Sequence, residues 1–182
     1  MSGIWTNNWR GYKNAMLLGR YRDGLTTVVD TSGSPMSFPE NLSYPVTGYS
    51  PFGAFSYGGA FAARAVFGTG SGTPAATDVT LFTQASDSML SVTNVENGAV
   101  TYDVPGGSAE RTVRVTVQNR STAESITLTE WGIVLTLYYN PADRSGRPTL
   151  VHHAMLDTPV TLVPQQTAVL ELTLGVTLSD PV

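Results

Sequence analysis

The residue types that can do chemistry are few in this chain of 182 residues, and their spacing suits little of it. The two histidines, His152 and His153, are adjacent. On a strand, adjacent side chains point to opposite faces, so the pair is badly placed to chelate one metal ion. A hydrolytic triad through one of them, with Asp157 and a serine, lacks the Gly-x-Ser-x-Gly turn that presents such a nucleophile. Both histidines are expected to be satisfied inside the fold or to face solvent. Carboxylates that work as acid and base come in pairs, whereas here they are scattered singly. Asp78, Asp87, Asp103 and Asp143 fall in turn-forming stretches, where Asp caps local N–H groups. No Asp-x-Asp-x-Asp run marks a calcium loop. Glu130 is the exception: it lies in an apolar strand beside Trp131, Gly132 and Ile133, where a buried carboxylate must find donors. The three residues Glu130, Trp131 and Gly132 are therefore expected to be structural. Glu130 should accept hydrogen bonds from a neighbouring loop, with Arg111, Arg114 or Arg120 supplying the donor.

Gly68-Thr69-Gly70-Ser71-Gly72-Thr73-Pro74 has the glycines of a phosphate cradle, but neither a helix-opening third glycine in a βαβ unit nor a Gly-Lys-Ser/Thr. It reads as a turn leaving a strand. The chain has no cysteine, which removes disulfides, thiolate metal sites and a thiol nucleophile. No catalytic group, cofactor or metal is expected, and the chain is not expected to be an enzyme. The formal net charge is −4, with nine arginines and a single lysine, Lys13, and no basic stripe of the kind a nucleic-acid binder shows. Charged residues are 13 %, against about 25 % in an average soluble domain. Sparse charge points to a surface that meets other protein, because interface cores are depleted of Lys and Glu. Met1-Ser2-Gly3-Ile4-Trp5 does not open a signal peptide, and nowhere do enough apolar residues run together to span a bilayer, so neither secretion nor a membrane partner is expected.

The elements that must position these residues are strands. Thr, at 24, and Val, at 19, are abundant, as in β-proteins. Arg111 to Gln118 alternates, placing Val113, Val115 and Val117 on one face and Thr112, Arg114 and Thr116 on the other. Ile126 to Ile133 begins a second alternating strand after a polar turn. Ala62 to Phe67, Met89 to Val95, Leu150 to Met155, Val160 to Val163 and Val169 to Leu174 complete the set, and Ala75 to Ala85 offers one or two helical turns. The pattern divides the chain into residues 1–60, an irregular aromatic arm broken by Pro35, Pro39, Pro45 and Pro51, and residues 61–182, an all-β domain. Seven or eight strands with short turns fit an antiparallel β-sandwich, immunoglobulin-like or jelly-roll, with a closed barrel as the alternative. Leu25 to Val29 and Ala15 to Leu18 supply short strands in the arm. Its aromatic residues are Trp5, Trp9, Tyr12, Tyr21, Phe38, Tyr44, Tyr49, Phe52, Phe55 and Tyr57. Each is a candidate anchor on a neighbouring protein, since aromatic rings contribute large contact area at little entropic cost. Packing over the parent domain is their alternative role.

The order of four segments resembles a family of small β-rich minor structural proteins of tailed bacteriophages and prophages, over about residues 60 to 178. Val66 to Pro74 followed by Asp78 and Leu81 is similar to the family's opening. Arg111 to Asn119 with Ser121 is similar to its strand and turn, and Ile126 to Ile133 to its Glu-containing strand. Leu150 to Leu156, Thr158 to Leu162 and Val169 to Leu174 resemble its closing strands. Where the family has Leu-Leu-Ala-Arg, this chain has Leu150-Val151-His152-His153, and Trp131 replaces a small or aliphatic residue. The resemblance implies a non-enzymatic virion protein, assembled in the bacterial cytoplasm, that self-associates and docks on other virion proteins. Head decoration on the major capsid protein is favoured. A tail, neck or collar component, or a receptor- or carbohydrate-binding module of a fibre or spike, is the alternative.

Overall fold

The computed structural model of the chain describes residues 3–11, 28–36, 61–103, 105–138 and 146–177. Among the described residues the chain is mostly β, with one short helix at residues 7–11. Nine strands are described: β1 (Ile4–Trp5), β2 (Val28–Val29), β3 (Pro35–Met36), β4 (Phe61–Gly68), β5 (Leu90–Asp103), β6 (Ser108–Asn119), β7 (Ile126–Tyr138), β8 (Gly146–Leu162) and β9 (Thr167–Thr177). They form a four-stranded sheet in the order β1-β8-β7-β4, a three-stranded sheet in the order β5-β6-β9 and the small hairpin β2-β3. Every pairing is antiparallel.

The alternating face of β6 is as its sequence demands: Val113, Val115 and Val117 are buried, while Thr112 and Arg114 are exposed. Leu170 and Leu172, the β9 partners of Val115 and Val113, and Leu174 of the same strand lie in the same buried cluster as Phe67, Leu128, Trp131, Ile133, Leu135, Val151, Ala154 and Leu162 of the four-stranded sheet. The two sheets therefore share one core. Val28 and Met36 belong to it too, so the described pieces of residues 1–60 pack into the same body as residues 61–177. Their hairpin turn is tied by Asp30, whose carboxylate accepts from the Ser32 hydroxyl (2.5 Å) and the Ser34 N–H (2.9 Å) and pairs with Arg147. The Ser32 hydroxyl above all, against the opposing effect of burial, holds the Asp30 carboxyl well below the usual carboxylate range. A depressed carboxyl stabilises the fold above its unfolded pKa, and this contribution fades as the pH falls below it.

Three expectations change. Residues 75–85 form no helix; they are successive turns laid over the four-stranded sheet. The strands expected at Leu150 to Met155 and Val160 to Val163 are one strand, β8, running through Pro159, so six strands, not seven or eight, are described in residues 61–177. Proline is tolerated there because β8 bulges: between the pairs Leu128↔Val160 and Glu130↔Met155, β7 has one residue and β8 has four, and no ladder bond is asked of Pro159. The third is the donor to Glu130, described below. At the far end of β6, Asn119 is fully buried; its amide donates to Glu124 O (2.8 Å) and Leu162 O (3.0 Å) and its oxygen accepts from Ser121 N (3.0 Å). The Asn and Ser of that turn thus fasten the three-stranded sheet to the end of β8.

Candidate functional site

Of the groups singled out for chemistry, Glu130, His153 and Asp78 converge on the face of the four-stranded sheet away from the shared core, while His152 lies on the core side, Asp87 pairs with Arg64 at the surface and Asp103 lies at the β5–β6 turn. A second irregularity in β8 sets this up. Between Ile133↔His152 and Val134↔Leu150 the strand carries one extra residue, Val151. Val151 and Ala154 reach the core, while Leu150 joins Val66, Leu81 and Val134 in a separate buried cluster. On β7, Trp131, Ile133 and Leu135 face the core, and Glu130 turns under the loop of residues 69–85.

Glu130 is fully buried and every oxygen is used. Oε1 accepts from the N–H groups of Gly70 (3.0 Å) and Thr83 (2.8 Å), and Oε2 accepts from the N–H of Phe82 (2.9 Å). Oε2 also lies 2.9 Å from Nε2 of His153, whose Nδ1 is 2.7 Å from Oδ2 of Asp78. The same Asp78 oxygen accepts from Ala75 N (2.8 Å), capping its own turn. Phe82 covers the His153 ring at a centroid distance of 4.8 Å. The expected role of Glu130 towards a loop is present; its side-chain partner is His153, not an arginine. Arg111 donates to Gly98 O, Arg114 pairs with Glu171 and Arg120 donates to Asp87 O. Arginine heads stay at the surface because the long side chain reaches water while its stem packs.

The glycine-rich loop uses a backbone N–H as a phosphate cradle would, but its anion is internal. A Cβ at Gly70 would lie 2.5 Å from Glu130 Oε1, so glycine is what allows the approach. Chemically, Asp78–His153–Glu130 is a carboxylate–imidazole–carboxylate chain with both ring nitrogens engaged, and His153 and Glu130 are both fully buried. Its two histidine contacts join segments 75 and 23 residues apart, and its effect is to hold the loop on the sheet. Among the described residues no His, Asp and Glu group is arranged to hold a metal ion. Gly132 explains itself in the same place. A Cβ there would meet His152 O at 2.7 Å and Leu150 Cδ1 at 2.8 Å, and the carbonyl belongs to a paired strand that cannot yield. Gly132→Ala is expected to cost about 1–3 kcal/mol through overpacking, read as a lower urea midpoint with an unchanged slope.

His152 faces away from this cluster, as adjacent strand residues should. Its ring stacks on Trp131 (4.6 Å) and meets Trp5 edge-on (4.9 Å), and Trp5 contacts Trp9 (5.1 Å). Burial, with the charge of His153 adding to it, pushes His152 down to about 3. Of the candidate anchors, Trp5 and Trp9 thus pack on the chain's own core; Tyr12, Tyr21, Phe38, Tyr44, Tyr49, Phe52, Phe55 and Tyr57 lie outside the described residues. Sequence reasoning missed Asp78 and His153 as partners of Glu130. Their signal was weak: an acid inside an apolar strand, and a glycine-rich loop followed by Asp.

No protein family, no curated protein and no solved structure matches the chain.

Proposed function

We propose that the chain is a non-enzymatic structural protein of a tailed-phage virion, an antiparallel β-sandwich of immunoglobulin-like or jelly-roll type that self-associates and docks on the head shell. The observation that carries this reading is the use made of the chemical groups: Asp78, His153 and Glu130 are consumed in fastening a loop, with His153 and Glu130 fully buried and Asp78 partly exposed at the loop's rim. The surface keeps large apolar residues instead, with Tyr102 71 %, Val169 62 % and Val163 54 % exposed. Contacts of this kind, repeated over many copies, give lasting attachment from modest individual affinity. The phage-family resemblance supplies the setting.

A second reading, a receptor- or carbohydrate-contacting module, is favoured by one feature. Tyr102 stands exposed beside Asp103 at the tip of the β5–β6 hairpin, an aromatic next to an acid at a turn. The experiment that separates the readings is mass spectrometry and gold labelling of tailed particles purified from the bacterium that carries the gene. The virion reading expects the chain at a fixed ratio to the major capsid protein, with label over the head for decoration or over the tail for a neck, collar or tail part. Its absence from purified particles would overturn the proposal. Tyr102→Ala separates the second reading: particles that assemble but lose host attachment would support it.

A further inference from the structure

We propose that His152 makes the seating of residues 3–11 acid-sensitive, so that mild acid releases this segment from the edge of β8 while the two sheets stay folded. The segment is held by few backbone contacts. Strand β1 pairs with β8 only at Ile4↔His153 and Trp5↔His152, and Thr6 N and Asn7 N donate to Val151 O (3.0 Å) and Ala76 O (2.7 Å). Buried side chains complete the attachment: Thr6 Oγ1 donates to Leu150 O (2.7 Å), and Asn8 bonds Val29 and Leu150. Trp5 donates its indole N–H to Gly175 O (2.8 Å), so the segment also reaches β9. By contrast, β8 stays paired to β7 from Ile126 to Tyr138.

The seat of this segment is the His152 ring. It is 1 % exposed, and its Nδ1 has no hydrogen-bond partner among the described residues. Trp5 lies against it from the segment and Trp131 from β7, and Gly3 approaches so closely that a Cβ would fall 2.3 Å from Cε1. Neither indole offers an acceptor, since an indole nitrogen only donates. Among the titratable groups around it, His153 follows on the same strand with both nitrogens engaged. Glu130 on β7 and Asp78 in the 69–85 loop are turned to His153, and Arg10 of the segment is exposed. A proton at Nδ1 of His152 would meet neither acceptor nor water while the segment is seated, and would meet water once it leaves.

The sign follows from linkage. In the seated state His152 is pushed down to about 3, whereas release exposes the ring to water and lets it rise toward the ordinary histidine value of about 6.5. Above 6.5 neither state takes the proton, and the balance is independent of pH. Below it the released state binds more protons, so the seated-to-released ratio falls by up to about tenfold per pH unit until the seated ring also titrates. Attraction of a cationic ring to the Trp131 face acts the other way, but desolvation of the ring is the larger effect. Release uncovers the β8 edge and the Gly175 carbonyl together, a backbone surface fitted to a strand.

The test uses the full chain. All three tryptophans, Trp5, Trp9 and Trp131, lie at this seat, so tryptophan fluorescence follows it, with Trp131 also reporting the shared core. Hydrogen exchange is measured for residues 4–11 and for β6 from about pH 7.5 to about pH 4.5, corrected for the intrinsic rate, beside His152→Phe and His152→Gln. The expected result is loss of protection in residues 4–11 below about pH 6, approaching tenfold per unit, with a matching fluorescence change and β6 unaffected. Either non-titrating variant should flatten the profile. Protection of residues 4–11 that is independent of pH in the wild type overturns the proposal, as does the same slope in a variant or a parallel loss in β6. The wild-type profile decides this even where a variant fails to fold.

Discussion

Glu130→Ala is expected to lower the unfolding free energy by about 3–5 kcal/mol, the range for breaking a buried charged network from one side. The size follows from what is left behind. Three backbone N–H groups, of Gly70, Phe82 and Thr83, lose their acceptor, and His153 keeps only Asp78. None of these donors can turn to water without lifting the 69–85 loop and uncovering Leu81, Val66, Val134 and Leu150. Urea unfolding gives the loss, and hydrogen exchange gives its location: the Gly70, Phe82 and Thr83 amides should lose protection first, while β6 amides keep theirs. Glu130→Gln retains shape and one acceptor oxygen but sets an N–H₂ against a donor, so a smaller loss is expected. A fall of less than about 1 kcal/mol for Glu130→Ala would mean that the loop is held by something other than this carboxylate.

Trp131→Ala is expected to cost about 3–5 kcal/mol, as for other large-to-small changes of buried aromatic residues. Trp131 is 5 % exposed, belongs to the shared core and forms the face on which His152 stacks. Its removal opens a cavity on the core side of β7 and also takes away one wall of the Trp5 seat, so protection of residues 4–11 should fall further than that of β9. Thermal and urea unfolding measure the first effect, and hydrogen exchange the second. Trp131→Phe, which leaves a ring in place, should recover most of the stability. A change within about 1 kcal/mol for Trp131→Ala would show that the site collapses without a cavity.

What could be read before the fold was known tracks how local the cause is. The β6 strand was legible because burial of Val113, Val115 and Val117 follows directly from a period of two. The adjacent-face rule for His152 and His153 needed only a strand. The internal use of Glu130 was legible as a demand, since a carboxylate in an apolar strand must find donors. Which donors was not legible, because Glu130 and His153 meet only after β7 and β8 pair in a register shifted by Val151, and Asp78 reaches His153 only when the 69–85 loop lies over them. The single strand β8 was hidden by Pro159, which the bulge accommodates. The 75–85 stretch was misread because its backbone donors are satisfied by Glu130 and by β4, at Ala85 N to Phe67 O, and not by a helix.

The same accounting sets the species to be measured. Val28 and Met36 lie in the shared core, and Trp5 and Asn8 bind β8, β9 and β2, so cutting the chain before Phe61 would remove parts of the body. The most direct test of the central claim, a structural protein that works by self-association, is therefore the native mass of the full chain at several concentrations and neutral pH. The account predicts a closed oligomer of fixed number: a trimer would suit threefold positions of a shell, and a hexamer or dodecamer a neck or tail ring. A monomer at every concentration would contradict it.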